Sequence, residues 1–353
     1  MTEKIDLYSM SEEELVGFFI SIGEPKFRAK QLFPRLHDGT PLCEITNLSK
    51  PLREKLQTLC LDTLPKIELK LTSKIDGTVK YLFRLHDGAV IESVLMKYKH
   101  GNTLCISSQV GCLMGCKFCA STIGGKVRDL LPSELLGQVI VASRDSGERV
   151  SNIVMMGIGE PLDNFDNVIK FLSLVNAEGG LNIGYRHISL STCGIVPKIK
   201  ELAEVNIPIT LSISLHASTD EKRGEIMPIN KKWNISELLD ACVYYYTKTG
   251  RRISFEYTLI AGKNDSDADA RELGRLLKGA FRGTGAPIHV NLIRVNAVKE
   301  SGFSEGSVEG ANAFCKVLCD MGITATVRRR LGADVNAACG QLRRSVIAKE
   351  ENT

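Results

Sequence analysis

Three cysteines, Cys112, Cys116 and Cys119, lie on one short stretch, GCLMGCKFCAS. Thiolates so closely spaced can take three corners of a [4Fe–4S] cube and leave the fourth iron open to a substrate. A structural zinc ion, the competing use, needs four ligands, and neither a second CxxC nor an HxxxH pair follows downstream. Phe118, next to the last cysteine, is a bulky apolar shield against water. Cys315 and Cys319 repeat the CxxxC spacing, but Gly322 stands where a third ligand belongs. They lie among Phe314, Val317, Leu318 and Met321 and read as core thiols, as do Cys43, Cys60, Cys193 and Cys242.

Eleven cysteines, an odd number, follow a polar and acidic beginning, MTEKIDLYSMSEEEL, that has no apolar leader. This points to metal or redox chemistry and away from a secreted disulfide framework. No apolar run approaches the roughly 20 residues that span a bilayer, so a soluble, cytoplasmic enzyme with no membrane partner is expected. A net charge of +4 on 353 residues does not by itself define a nucleic-acid binder. The local clusters carry more information: Lys97, Lys99 and His100 precede the cysteine loop, Arg328, Arg329 and Arg330 precede a second motif, and Arg343 with Arg344 follows it.

Something must hold these residues in place. Helical patterns run over Ser11–Ile22 and Lys26–His37, separated by Gly23 and Pro25. From Ile67 to Lys97 the pattern alternates as in strands (IELKLTSK, VKYLFRLH, AVIESVLMK), with hairpin turns at Asp76-Gly77 and Asp87-Gly88. Beyond Thr103, six strand-like segments each precede a helical one: TLCISS, NIVMMG, HISLSTC, ITLSISLH, RISFEYTLI and HVNLIRVN. Six βα units without a dinucleotide-binding glycine fingerprint predict an α/β fold, a partial (β/α)6 barrel, with chemistry at the C-terminal ends of its strands. The expected division is a helical domain over 1–65, a short antiparallel β extension over 66–101, the barrel over 102–330 and a C-terminal segment over 331–353.

A CxxxCxxC triad after a first barrel strand resembles the radical S-adenosylmethionine superfamily. The stretches CISSQVGCLMGCKFCAS, MMGIGEPLDNFDNV, RHISLSTCGIVPKI, SLHASTDEKRGEIMPIN and DVNAACGQL resemble, in order, the RlmN-type RNA adenine C2-methyltransferases, as does the N-terminal module with FRAKQLF. The resemblance implies a [4Fe–4S] cluster on Cys112, Cys116 and Cys119, S-adenosylmethionine as methyl and radical source, and 23S rRNA and tRNA as substrates. It also implies a low-potential electron donor such as flavodoxin or ferredoxin. Cys339, in AACGQL, matches the methyl-carrying cysteine. Cys105 matches the cysteine that removes the C2 proton and closes a disulfide with Cys339. Glu92 matches a proton acceptor, a role that overlaps that of Cys105.

Gly159 and Glu160, in GIGEP, suit S-adenosylmethionine because glycines allow close backbone approach and a carboxylate can hold the ammonium. Ser191, Ser214, Leu215, His216 and Asn296 match the remaining cofactor positions of the family. The base must be extruded from folded RNA to be reached. The arginines that bracket Cys339 would then meet phosphates, with the helical N-terminal module as a second RNA contact. Two alternatives stand beside this reading. One is C8 methylation of the same adenine, suggested by Arg294 in NLIRVN but not by Pro161 in GEP; the other is a noncatalytic, metal-stabilised RNA-binding protein.

Replacing any one of Cys112, Cys116 or Cys119 by Ala is expected to abolish the brown chromophore and S-adenosylmethionine cleavage together. The same change at Cys315 or Cys319 should leave both intact, as visible absorbance and product chromatography would register.

Overall fold

A computed structural model describes residues 4–295 and 302–335; Asn296, Cys339, Arg343 and Arg344 lie outside the described residues. Three helices open the chain, α1 (Glu12–Ser21), α2 (Arg28–His37) and α3 (Lys50–Leu59). Ser11 caps α1 reciprocally: its hydroxyl accepts the Glu14 N–H, and the Glu14 carboxylate accepts the Ser11 N–H at 2.6 Å. Leu15, Phe18 and Phe19 of α1 and Leu32, Phe33 and Leu36 of α2 face inward and join the main hydrophobic core.

Strands β1 (Lys66–Thr72), β2 (Val79–Arg84) and β3 (Val90–Tyr98) form the antiparallel meander. Gly77 and Gly88 supply the left-handed backbone its turns need, at φ of 71° and 87°. The chain continues through β4 (Gly101–Cys105), β5 (Gln109–Gly111), β6 (Lys126–Asp129), α4 (Pro132–Ser146), β7 (Val150–Met155), α5 (Phe165–Asn176), β8 (Ile188–Thr192) and α6 (Val196–Val205). It then forms β9 (Thr210–Ser214), α7 (Asp220–Ile226), α8 (Ile235–Thr249), β10 (Ile253–Leu259), α9 (Asp267–Ala280), β11 (Ile288–Arg294), α10 (Val308–Asp320) and β12 (Thr324–Val327). Strand β10 is buried along its whole length, as a parallel strand covered on both faces must be.

The six expected strand–helix units are all present. The extension and the barrel are not separate sheets, however. Strand β3 pairs antiparallel with β4, β4 pairs parallel with β7, and one ten-stranded sheet runs β1-β2-β3-β4-β7-β8-β9-β10-β11-β12. Three elements escaped the hydrophobic pattern because they are short: the β5–β6 ribbon, α7, and the seventh parallel strand β12, whose residues alternate between exposed and half-buried.

The cysteines also need correction. Cys60, Cys193 and Cys242 are buried, but Cys43 and Cys319 are exposed and Cys315 is half-buried with its thiol on the Ala325 carbonyl. The inward face of α10 is Ala311, Phe314 and Leu318, and Cys319 lies about 100° further round the helix, on the solvent side.

The β5–β6 ribbon brackets the cysteine loop, and its closure depends on Gly111. At φ 85° a Cβ there would stand 1.9 Å from the Gly125 carbonyl oxygen, while the Cys112 N–H donates to that same oxygen at 3.0 Å. Gly111→Ala should therefore cost at least about 2 kcal/mol and lower the iron content of reconstituted protein, measured by thermal unfolding and iron analysis.

Candidate active site

A cavity opens at the C-terminal ends of the barrel strands. Cys112, Cys116 and Cys119 line one wall, with Gly159, Glu160, Ser191, Ser214 and His216 contributed by the ends of β7, β8 and β9 and the turns that follow. Burial and the neighbouring Cys119 push the Cys112 thiol up to about 12, and burial with both other thiols pushes Cys116 higher still. Thiols that resist losing their protons in the apo-protein become ligands when metal takes the protons' place. Among the described residues, no three His, Cys, Asp or Glu side chains close round a single ion. The three cysteines are nonetheless electrostatic neighbours on one wall. Three thiols with no fourth protein donor fit a cluster with one open corner.

Glu160 is buried beneath this wall. Burial raises its pKa, opposed by the N–H groups of Cys193 and Leu162, which donate to its two oxygens at 2.7 and 3.0 Å. The glycines of GIGEP serve a purpose other than ligand approach alone. A Cβ on Gly157 would stand 2.5 Å from the Ile106 carbonyl, and one on Gly159 would stand 2.6 Å from the Ser108 hydroxyl, so both let the loop after β7 pack on residues 106–109. His216 has a positive φ of 57°, and its Nδ1 accepts the Thr258 N–H at 2.9 Å. Burial pulls its pKa down to about 3, so the ring is neutral with its proton on Nε2. Phe118 packs edge-on against this imidazole, with ring centroids 4.8 Å apart. Leu215 is not on the cavity wall: its side chain is in the core, and its N–H and carbonyl are taken by Glu256 and Arg223.

Cys105 ends β4 beside Met156, a cavity residue whose backbone N–H hydrogen-bonds to it. The register Lys80↔Val94↔Cys105 puts these three in one row across β2, β3 and β4, so their side chains share a face of the sheet. Glu92, two residues from Val94, is on that face too. It forms an ion pair with Lys80 at 3.1 Å, and both are almost wholly buried. Burial raises the Cys105 pKa; Arg328 and Lys80 pull it down and Glu92 pushes it up.

Sequence reading missed Lys80, Cys193, Arg223 and Glu256. Glu256, on β10, lines the cavity and accepts the Asn291 amide at 2.7 Å, and burial raises its pKa against the pull of Arg328. The available signal was a single charge inside an apolar strand, Lys80 in VKYLF and Glu256 in ISFEYTL. Of the basic groups, Arg328 reaches the cavity, Lys97 pairs with Glu148, and Arg294 and Arg330 share Glu305.

Residues 106–274 match the Radical SAM superfamily, and residues 5–61 match the ribosomal RNA large subunit methyltransferase N-terminal domain. A radical SAM methyltransferase from Sphaerobacter thermophilus superposes with a TM-score of 0.90 at 41% identity, covering 96% of this chain and 98% of that one. With the cysteine wall at the barrel mouth, this defines a radical SAM methyltransferase. The probable dual-specificity RNA methyltransferase RlmN of Alkaliphilus oremlandii is 56% identical over 97% of this chain and 98% of its own length. That of Clostridium botulinum strain Eklund 17B is 54% identical over 96% of each. The chain belongs to the RlmN family of dual-specificity RNA methyltransferases. Among the described residues, no helix is long and apolar enough to cross a membrane.

Lys80→Met, which leaves Glu92 in place without its ammonium, should lower stability by about 3–5 kcal/mol, whereas Lys80→Met with Glu92→Leu should recover most of that loss. Denaturant unfolding of the cluster-free protein measures both.

Proposed function

We propose that this chain methylates C2 of adenine in RNA, at adenosine 2503 of 23S rRNA and adenosine 37 of tRNAs, through a methylcysteine on Cys339. The observation that carries the reading is the three-thiol wall and Glu160 on one cavity, with Cys105 hydrogen-bonded to the cavity residue Met156 and sharing a sheet face with the buried Lys80–Glu92 pair. Cys112, Cys116 and Cys119 would hold a [4Fe–4S] cluster; Glu160, Ser191, Ser214, His216 and Asn296 would hold S-adenosylmethionine, with Gly159 and Leu215 shaping the backbone around it. Bound there and reduced by a low-potential flavodoxin or ferredoxin, these groups supply the 5′-deoxyadenosyl radical chemistry that an unactivated aromatic carbon requires.

The chain's own residues do the rest. Cys339 carries the methyl group to C2 and becomes joined to the base. Either Cys105, whose pKa burial raises, or Glu92, held by Lys80, takes the C2 proton in this reading. Cys105 then forms a disulfide with Cys339 and releases the methylated base. Arg328, Arg329 and Arg330 meet phosphates around the extruded nucleotide. The sequence feature that favours C8 instead is Arg294, whose guanidinium is engaged by Glu305 at 3.4 Å; mass spectrometry of digested RNA separates 2-methyl- from 8-methyladenosine.

The two cysteines act at opposite ends of the reaction. Cys339→Ala should bind the cluster yet never join to RNA. Cys105→Ala should remain covalently attached to RNA through Cys339, giving a species that survives denaturing gels and disappears with ribonuclease. Normal turnover by Cys105→Ala, or an adduct with Cys339→Ala, would overturn the two-cysteine mechanism.

A further inference from the structure

Arg223, on α7, has no solvent exposure, and a guanidinium removed from water is costly to hold without an anion beside it. All of its hydrogen bonds run to neutral acceptors. Nε donates to the Leu215 carbonyl at 3.2 Å, Nη2 to the carbonyls of Cys193 at 2.7 Å and Ser214 at 3.3 Å, and Nη1 to the Asn230 side-chain oxygen at 2.9 Å. Among the described residues, no carboxylate lies within ion-pairing distance. Asp220, an acid in its electrostatic surroundings, accepts instead from the Asn230 amide at 2.9 Å and the Ile235 N–H at 2.8 Å.

Two of the carbonyls that accept from Arg223 belong to Cys193 and Ser214, which line the same cavity as Cys112, Cys116 and Cys119, so the guanidinium is fastened to the lining that faces the three thiols. The end of α7 is fastened to the cysteine loop, since the Lys117 N–H donates to the Ile226 carbonyl at 2.9 Å.

We propose that Arg223 is a positioning residue whose fixed charge compensates the anionic three-thiolate cluster and eases its one-electron reduction. This rests on the assignment of the cluster to Cys112, Cys116 and Cys119. Each thiol that binds iron gives up its proton and brings negative charge into a low-dielectric wall. A positive charge fixed nearby stabilises that charge, and stabilises it further once an electron is added. A guanidinium suits the task better than an ammonium, because its planar fork ties three carbonyls at once and cannot swing away.

Redox titration of the reconstituted protein, followed by electron paramagnetic resonance under anaerobic conditions, tests this with Arg223→Gln and Arg223→Lys. The Gln variant should show a reduced-to-oxidised ratio at fixed potential at least about tenfold below the unsubstituted protein, about 59 mV for one electron. The Lys variant, which keeps the charge, should stay within about threefold. Cluster uptake by Lys but not by Gln also supports the proposal. A Gln variant that titrates like the unsubstituted protein, an equal shift in both variants, or failure of both to take up the cluster would overturn it in favour of a purely structural role. If the unsubstituted protein itself binds no cluster, the cysteine assignment fails instead.

Discussion

Everything at the barrel mouth depends on the backbone pairing of β4, which runs antiparallel to β3 on one side and parallel to β7 on the other. A strand paired on both edges has no freedom to slip, and a slip of one residue would turn every side chain to the opposite face. That register fixes Cys105 at the strand's end and brings Lys80 and Glu92 to the same face from strands that belong to no βα unit. It also sets where the next segment starts. Residues 106–109 leave β4 and pack under the Gly157–Gly159 turn so closely that neither glycine could carry a side chain.

Around this frame the apolar core is generous, and buried side-chain amides pair with the backbone at the strand ends, although the Ser108 and Ser133 hydroxyls have no hydrogen-bond partner among the described residues. The Gln138 amide donates to the Ser107 carbonyl, while its oxygen accepts from the Ser107 N–H and the Ser93 hydroxyl. Asn164 reaches the Ser108 and Leu130 carbonyls, and Asn264 those of His216 and Thr258. These amides stand in for the backbone partners that the irregular turns at the strand ends lack. The turns can therefore depart from regular structure, His216 even into a left-handed conformation, with these carbonyls still paired.

Much of this was legible in the residues. The cysteine spacing, the six βα units and the two Asx-Gly hairpins each carry a local signal, and the structure reproduces the three hairpin strands and the barrel order. What was not legible depends on long-range pairing. No local pattern tells that β3 joins β4 and fuses the extension to the barrel, or that Lys80 meets Glu92 of the neighbouring strand inside the core. Short elements such as β5, β6 and α7 are held by tertiary contact rather than by their own periodicity. The close packing of residues 106–109 against the glycines of GIGEP is a second constraint on them that no local pattern shows. Cys319 has apolar neighbours in sequence yet is exposed, because burial on an outer helix is decided by angle.

The turn between β1 and β2 also reaches the far end of the described chain. The Gly332 N–H donates to Asp76 at 2.8 Å and the Lys74 N–H donates to Asp334 at 2.9 Å, a reciprocal clasp between segments more than two hundred residues apart. Burial would raise the Asp76 pKa, but the N–H groups of Gly332 and Thr78 outweigh it and bring it to about 2, so the clasp keeps its charge through the physiological range. The chain that leads towards Cys339 is thus moored to the antiparallel hairpin and not only to the barrel. The hairpin is part of the smallest transplantable unit: a barrel grafted without residues 73–78 would keep its cysteine wall but lose the mooring of residues 332–334.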